Sequence, residues 1–249
     1  LVHDDIMDAA PLRRGKRTVH KKWDVNTGIL SGDAMLIEAY RLLETYEEGI
    51  FKKLMVLFSR TAMEVCEGQQ YDVDFETRDD VTIPEYLQMI KYKTAVLVAT
   101  AMKMGAIIGE APQQDQEAIY AFGLNLGIAF QLQDDFLDAF GDPKTFGKQL
   151  GGDIIENKKT FLYLKSLELG ESILKKELID LFSIQPKNNA QKIKRVKAIY
   201  DQSGASEYTR EAITKYTQKA FENLQNLDVP EDKKAVFRKF GEELMGRSV

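Results

Sequence analysis

The sequence predicts an all-α fold. Two observations carry this: apolar residues recur at three- and four-residue intervals along most of the chain, and no strand-like alternation runs longer than a few residues. Glycine and proline fall mostly singly, with no linker-like tract and no repeat of solenoid length, so a single domain over residues 1–249 is expected.

The helices follow in chain order. Asp33 to Glu48 forms the first, with Leu36, Ile37, Tyr40 and Leu43 as its apolar stripe. Ile50 to Cys66 carries Leu54, Leu57, Phe58 and Ala62 in the same rhythm. Thr82 followed by Glu85 reads as a capping box, and Pro84 is tolerated in a first turn, so a helix starts there and runs to about Gly105. Further helices are expected over Gln114 to Phe140, Lys158 to Leu169, Glu171 to Phe182, Ala190 to Ser203, Ala205 to Leu227 and Pro230 to Met245. Gly141 and Pro143 stop the longest of them.

Composition bounds what such a chain does. At 44% hydrophobic content it buries a sizeable core, and a formal charge of −5 argues against a general nucleic-acid binder. The longest uncharged run, Ala118 to Gln133, is too short and too often interrupted by polar residues for a membrane span, so no stable membrane insertion is expected. Cys66 is the sole cysteine and has no internal disulfide partner. With no secretory signal visible, the reading is cytoplasmic.

Within the long apolar helix stands "FQLQDDFLDAF", residues 130–140. Asp134 and Asp138 share one helical face, and like charges at that spacing cost roughly 0.2–0.5 kcal/mol even when exposed. The start of the chain, "LVHDDIMDAA", repeats the pattern with Asp4, Asp5 and Asp8. Two DDxxD clusters on buried helices call for cations. Mg²⁺ suits them, being a hard ion commonly held by one or two carboxylates together with substrate phosphates. A solvated acidic turn explains one copy better than two. The twelve-residue loop of an EF-hand is absent, and His3 and His20 are too few and too separated for zinc. The glycine-rich "KTFGKQLGGD" is no P-loop, because the spacing is wrong and Gln149 stands where Ser or Thr must bind magnesium.

Basic residues accompany the acidic ones. "PLRRGKRTVHKK" sets Arg13, Arg14, Lys16, Arg17, Lys21 and Lys22 beyond the first cluster, where arginine forks match phosphate oxygens. Lys93 falls on the same helical face as Ile90 and Leu97, so it either snorkels to water or meets an anion.

From "HDDIMDAAPLRRG" through "YKT" to "FQLQDDFLDAFGDPKTFGKQLGGDIIENKKT", the chain resembles the all-trans isoprenyl diphosphate synthases, or polyprenyl synthetase family. The resemblance implies an isoprenoid synthase helical bundle around a central active-site cavity. It implies a Mg²⁺-dependent prenyltransferase that condenses isopentenyl diphosphate with an allylic diphosphate, and a homodimer.

By that resemblance, Asp4, Asp8 and Asp134 hold a cluster of three Mg²⁺ ions on the allylic diphosphate, with Asp5, Asp135 and Asp138 supporting. Arg13, Lys93 and Lys158 clamp that diphosphate, Lys148 covers it, and Arg14 contacts isopentenyl diphosphate. Thr94 and Gln131 face the reacting carbons, Asp72 sits near the lysine clamp, and Asp153 points toward the metals. Read from the sequence itself, Asp153-x-x-Glu156 is also a cap for the helix carrying Lys158.

The family carries helices ahead of its first acidic motif. This sequence opens three residues before Asp4 and so reads as lacking them, together with the positions that set product length; geranylgeranyl, farnesyl and longer products are all compatible. Two rival readings are a class I terpene cyclase and a non-catalytic partner subunit or fragment. The cyclase mixes Asn or Asp with Ser or Thr and Glu in its second metal motif, whereas Asp134-Asp135-x-x-Asp138 has the synthase form.

Overall fold

A computed structural model describes residues 1–142, 150–186 and 188–246. The fold is all-α, as expected. Among the described residues the only sheet is one two-stranded hairpin. The chain divides into two compact units, Leu1–Val56 and Leu57–Val249. The division falls inside one long helix, where composition gives no signal.

In the first unit, α1 (Val2–Met7) and α2 (Val19–Lys22) pack on α3 (Val25–Arg41). Asp24 starts α3 by accepting the Thr27 backbone N–H at 2.8 Å, an N-cap that lies before the expected start at Asp33. Two glycines let α1 lie close. A Cβ at Gly28 would come within 2.8 Å of Ile6 Cδ1, and one at Gly32 would collide with the His3 ring. The expected apolar stripe is only partly buried: Leu43 is covered, whereas Leu36 and Ile37 are exposed. Periodicity marks a face; it does not say what covers it.

Between α1 and α2 the arginine stretch forms β1 (Leu12–Arg13) and β2 (Lys16–Arg17), paired antiparallel. Arg14 and Gly15 both have positive φ, 52° and 74°, as a tight two-residue hairpin turn requires. Thr18 closes it by donating from Oγ1 to the Ala10 carbonyl at 2.7 Å.

The helix expected to end at Cys66 is α4 (Glu48–Thr77), which ends eleven residues further along. The capping box is present: Thr82 Oγ1 accepts from the Glu85 N–H at 3.4 Å, and Glu85 Oε2 accepts from the Thr82 N–H at 2.9 Å. The helix it starts is not continuous α. It runs as α5 (Ile83–Ile90), a π-helical turn over Lys91–Ala95, and α6 (Val96–Ile108). The wider turn shifts the phase of the side chains, so Leu97, expected beside Ile90, is exposed while Ile90 is buried.

The centre of the second unit is α7 (Gln113–Phe140), buried over most of its surface and packed against α6 and α12 (Ala205–Gln225). Gly123 permits the α6 contact, since a Cβ there would lie 2.8 Å from Ala99 Cα, and Gly127 lets the π-turn approach, since a Cβ there would lie 2.6 Å from Ala95 Cα. One part of the core, with Leu132, Phe136, Leu162 and Ile199, reaches α9 (Phe161–Leu169), α10 (Ser172–Phe182) and α11 (Ala190–Gln202). Another, with Phe122, Leu126 and Leu224, packs against α13 (Glu231–Met245).

Two expectations need correction at the short helix α8 (Gly152–Ile155). Gly151, with φ 77°, occupies the N-cap position, so Asp153 lies inside the helix and is not its cap. Asn157, at φ 59°, ends that segment, and α9 begins at Phe161; Lys158 therefore sits in the connection and not on a helix.

Candidate functional site

A cavity of about 310 Å³ opens in the second unit between α4, α5, the π-turn, α7 and α8. Its lining includes Asp72, Lys93, Thr94, Gln131, Asp134, Asp135, Asp138, Asp153 and Lys158, so this structure brings together every site residue expected in this unit except one. Lys148 lies outside the described residues. Phe75, Met89 and Ile90 add an apolar wall.

The cationic side comes from two elements. Lys93 Nζ donates to Asp72 Oδ2 at 2.6 Å, joining the π-turn to α4. The expectation that Lys93 either reaches water or meets an anion is thereby resolved in favour of an anion. Lys158 Nζ lies 3.2 Å from Glu156 Oε2. Burial would lower the pKa of this ammonium, but Asp153, then Glu156 and Asp72, outweigh it and hold Lys158 above its ordinary value.

The acidic side comes from α7. Asp134 and Asp138 lie one turn apart, as spacing predicts. Asp138 is anchored through both oxygens, with Oδ1 accepting from the Gly152 N–H and Oδ2 from the Asp153 N–H, each at 3.1 Å. Asp135 is likewise engaged twice: Gln131 Nε2 donates to Oδ1 at 2.9 Å, and the Tyr86 hydroxyl donates to Oδ2. Burial pushes the Asp135 carboxyl up to about 6. Burial, with Asp135 and Asp138 next in weight, pushes Asp153 well above the usual carboxylate range. Thr94 Oγ1 donates to Gln131 Oε1 at 3.0 Å, so the π-turn and α7 share a polar contact at the cavity wall.

Two residues escaped the sequence reading. Tyr86, 1% exposed, brings its hydroxyl to Asp135. No spacing rule announces it; the available signal is that a buried tyrosine in an amphipathic helix needs a partner for its O–H. Lys159 donates to the carbonyls of Phe75, at 3.1 Å, and Arg78. It thus closes the C-terminal end of α4 beneath Lys158, as a cation there should.

In the first unit, Asp4, Asp5 and Asp8 do not lie on a buried helix. Only Asp5 is buried, Asp4 is half-buried, and Asp8 is exposed just past the end of α1. Arg13 Nε donates to Asp5 Oδ1 at 2.6 Å, which ties the hairpin to α1. Arg14 is exposed at the turn.

The donor set suits a hard divalent cation in a particular way. Among the described residues no group of three or more His, Cys, Asp or Glu forms a ready cage. Mg²⁺ does not need one, because it keeps several waters and takes one or two carboxylates with phosphate oxygens. Buried carboxylates forced toward protonation, as at Asp135 and Asp153, mark a place where added positive charge is favourable. Among the described residues no helix is long and apolar enough to cross a membrane.

Comparison with known proteins sets this geometry in a family. The sequence model described as polyprenyl synthetase matches residues 1–201. A short chain isoprenyl diphosphate synthase of Methanothermobacter thermautotrophicus is 35% identical over 95% of this chain and 72% of its own length. A geranylgeranyl diphosphate synthase of Saccharolobus solfataricus is 38% identical over 92% and 70%. A crystal structure of a geranylgeranyl pyrophosphate synthase superposes with a TM-score of 0.95 at 57% identity, covering 100% of this chain and 77% of that one.

Proposed function

We propose a reaction for this chain from one premise: it belongs to the polyprenyl synthetase family and is a prenyltransferase. The chain joins isopentenyl diphosphate to an allylic diphosphate, giving a longer trans-prenyl diphosphate and free diphosphate. The names of its relatives favour geranylgeranyl diphosphate as the product. The observation that carries this reading is the cavity of the second unit. Its wall sets the Lys93 and Lys158 ammonium groups, the Asp134 carboxylate and the Thr94–Gln131 oxygen pair around one space.

In the proposed reaction the allylic C–O bond breaks and its electron pair leaves with the diphosphate. Lys93 and Lys158 bind that diphosphate, and fixed cations of this kind stabilise charge as it develops; Arg13 is the candidate diphosphate ligand of the first unit. Asp134, at this cavity, would be a ligand for magnesium, and Asp4 and Asp8 are the candidate magnesium ligands of the first unit; the metal, three ions in this reading, would supply Lewis-acid stabilisation of the leaving group. Asp5, Asp135 and Asp138 support those carboxylates.

The allylic carbon becomes positive in a chamber whose Phe75, Met89 and Ile90 side chains exclude water. Thr94 Oγ1 and Gln131 Oε1 turn their negative ends toward it. The double bond of isopentenyl diphosphate, held by Arg14, attacks this carbon, and the released diphosphate accepts the proton that restores the new double bond. Lys148 is a further candidate to cover the diphosphate. The chain works as a cytoplasmic homodimer.

The test is a product assay with Mg²⁺, labelled isopentenyl diphosphate and each of dimethylallyl, geranyl and farnesyl diphosphate in turn. Magnesium-dependent elongation that disappears in Asp134→Ala supports the reaction and reads out product length. A folded protein that elongates none of the three would overturn it.

A further inference from the structure

Gln131 presents two chemically opposite ends, a carbonyl that accepts and an amide NH₂ that donates, and its neighbours decide which end faces the cavity. Asp135, one turn further along α7, decides it here. Both of its carboxylate oxygens accept hydrogen bonds, so it draws the NH₂ end, 2.9 Å away, and leaves Oε1 directed at Thr94 Oγ1, 3.0 Å away. Asp135 can orient Gln131 only if it is itself oriented. Its second oxygen takes the hydroxyl of Tyr86, a side chain from α5 that is almost fully buried and braced by the Phe161 ring at 6.1 Å.

We infer that Tyr86 is a positioning residue for prenyl transfer: through Asp135 it fixes the Gln131 amide with its oxygen toward Thr94 and the reacting carbon. The inference rests on the reaction proposed above. It also divides labour within the second acidic motif. Both oxygens of Asp135 are already engaged inside the protein, so this aspartate aims Gln131 while Asp134 serves the magnesium. A relay of this kind matters because a dipole turned end for end would present N–H hydrogens to a developing positive charge.

The test is Tyr86→Phe, which keeps the ring and removes the hydroxyl alone. Expected are a fall in kcat of about tenfold or more, with KM for both diphosphates and the magnesium concentration for half-maximal rate each within about twofold of wild type. In the Gln131→Ala background the same substitution should cost almost nothing further, since the group that Tyr86 aims is gone.

Losses that multiply across the two sites, a kcat unchanged by Tyr86→Phe, or a change confined to magnesium dependence would each overturn the inference. Wild-type elongation run alongside separates a failure of the reaction from a failure of the relay. A crystal structure of Tyr86→Phe reads the relay without turnover: the Thr94–Gln131 contact should open beyond hydrogen-bond reach, and its retention would count against Tyr86.

Discussion

Lys93 Nζ lies 2.6 Å from Asp72 Oδ2, so the π-turn lysine is held by α4 with neither side chain fully buried. An incoming diphosphate must compete with Asp72 for this ammonium, and Asp72 in turn keeps it aimed at the cavity. Lys93→Ala should lower kcat/KM for the allylic substrate by about 10²–10³, the scale of losing one preorganised donor. Asp72→Ala should cost about tenfold, because the cation stays and only its aim is lost. Steady-state kinetics on both variants check the ranking; an Asp72 variant as impaired as the lysine variant would contradict it.

Gly68 lies directly against the backbone of Lys93 and Tyr92, and a Cβ there would sit 2.7 Å from the Tyr92 carbonyl carbon. Backbone cannot swing aside as a flexible side chain can. Gly68→Ala should therefore destabilise by about 1–3 kcal/mol and lower kcat together. Gly105→Ala is the matched control, an exposed helical glycine with nothing within 4 Å of its Cβ position, and should gain up to about 1 kcal/mol. Thermal melts of the two variants should move in opposite directions.

Magnesium affinity should depend on diphosphate. With no ready three-ligand cage among the described residues, the cation needs phosphate oxygens to complete its shell. Calorimetric titration with Mg²⁺ should show weak binding alone and at least about tenfold tighter binding with inorganic diphosphate present. Equal affinity in both conditions would contradict this picture of the site.

The capping box gives a pH signature of known sign. The Thr82 hydroxyl, the Thr82 backbone N–H and Arg78 hold the Glu85 carboxyl below its ordinary 4.5. A depressed folded-state pKa contributes stability above the unfolded value and loses it as pH falls through the folded one. Urea midpoints of wild type and Glu85→Gln should therefore differ at about pH 6 and converge at about pH 3. A gap that widens toward acid would reverse the assignment.

The second acidic motif, its helix and the capping box at Thr82 were legible because each depends on residues within one or two turns of each other. Asp72 beside Lys93 was legible only through family resemblance, since 21 residues separate them. The π-turn was invisible to a fixed 3.6-residue period, which is why Leu97 was assigned to the wrong face. Tyr86 and Lys159 were missed for a related reason: Tyr86 meets Asp135 49 residues away, and Lys159 donates to two backbone carbonyls more than 80 residues away, which no side-chain motif can encode. The hairpin at Arg14 was missed because its turn uses an arginine at positive φ, a position where Asn, Asp or Gly would have given the signal.

One helix, α7, is both the most buried element of the second unit and the carrier of Gln131, Asp134, Asp135 and Asp138. These four side chains are not mounted on a surface loop that can fray while the rest endures. Heat should extinguish catalysis and collapse the core at the same temperature, leaving no interval in which a folded but inactive enzyme accumulates.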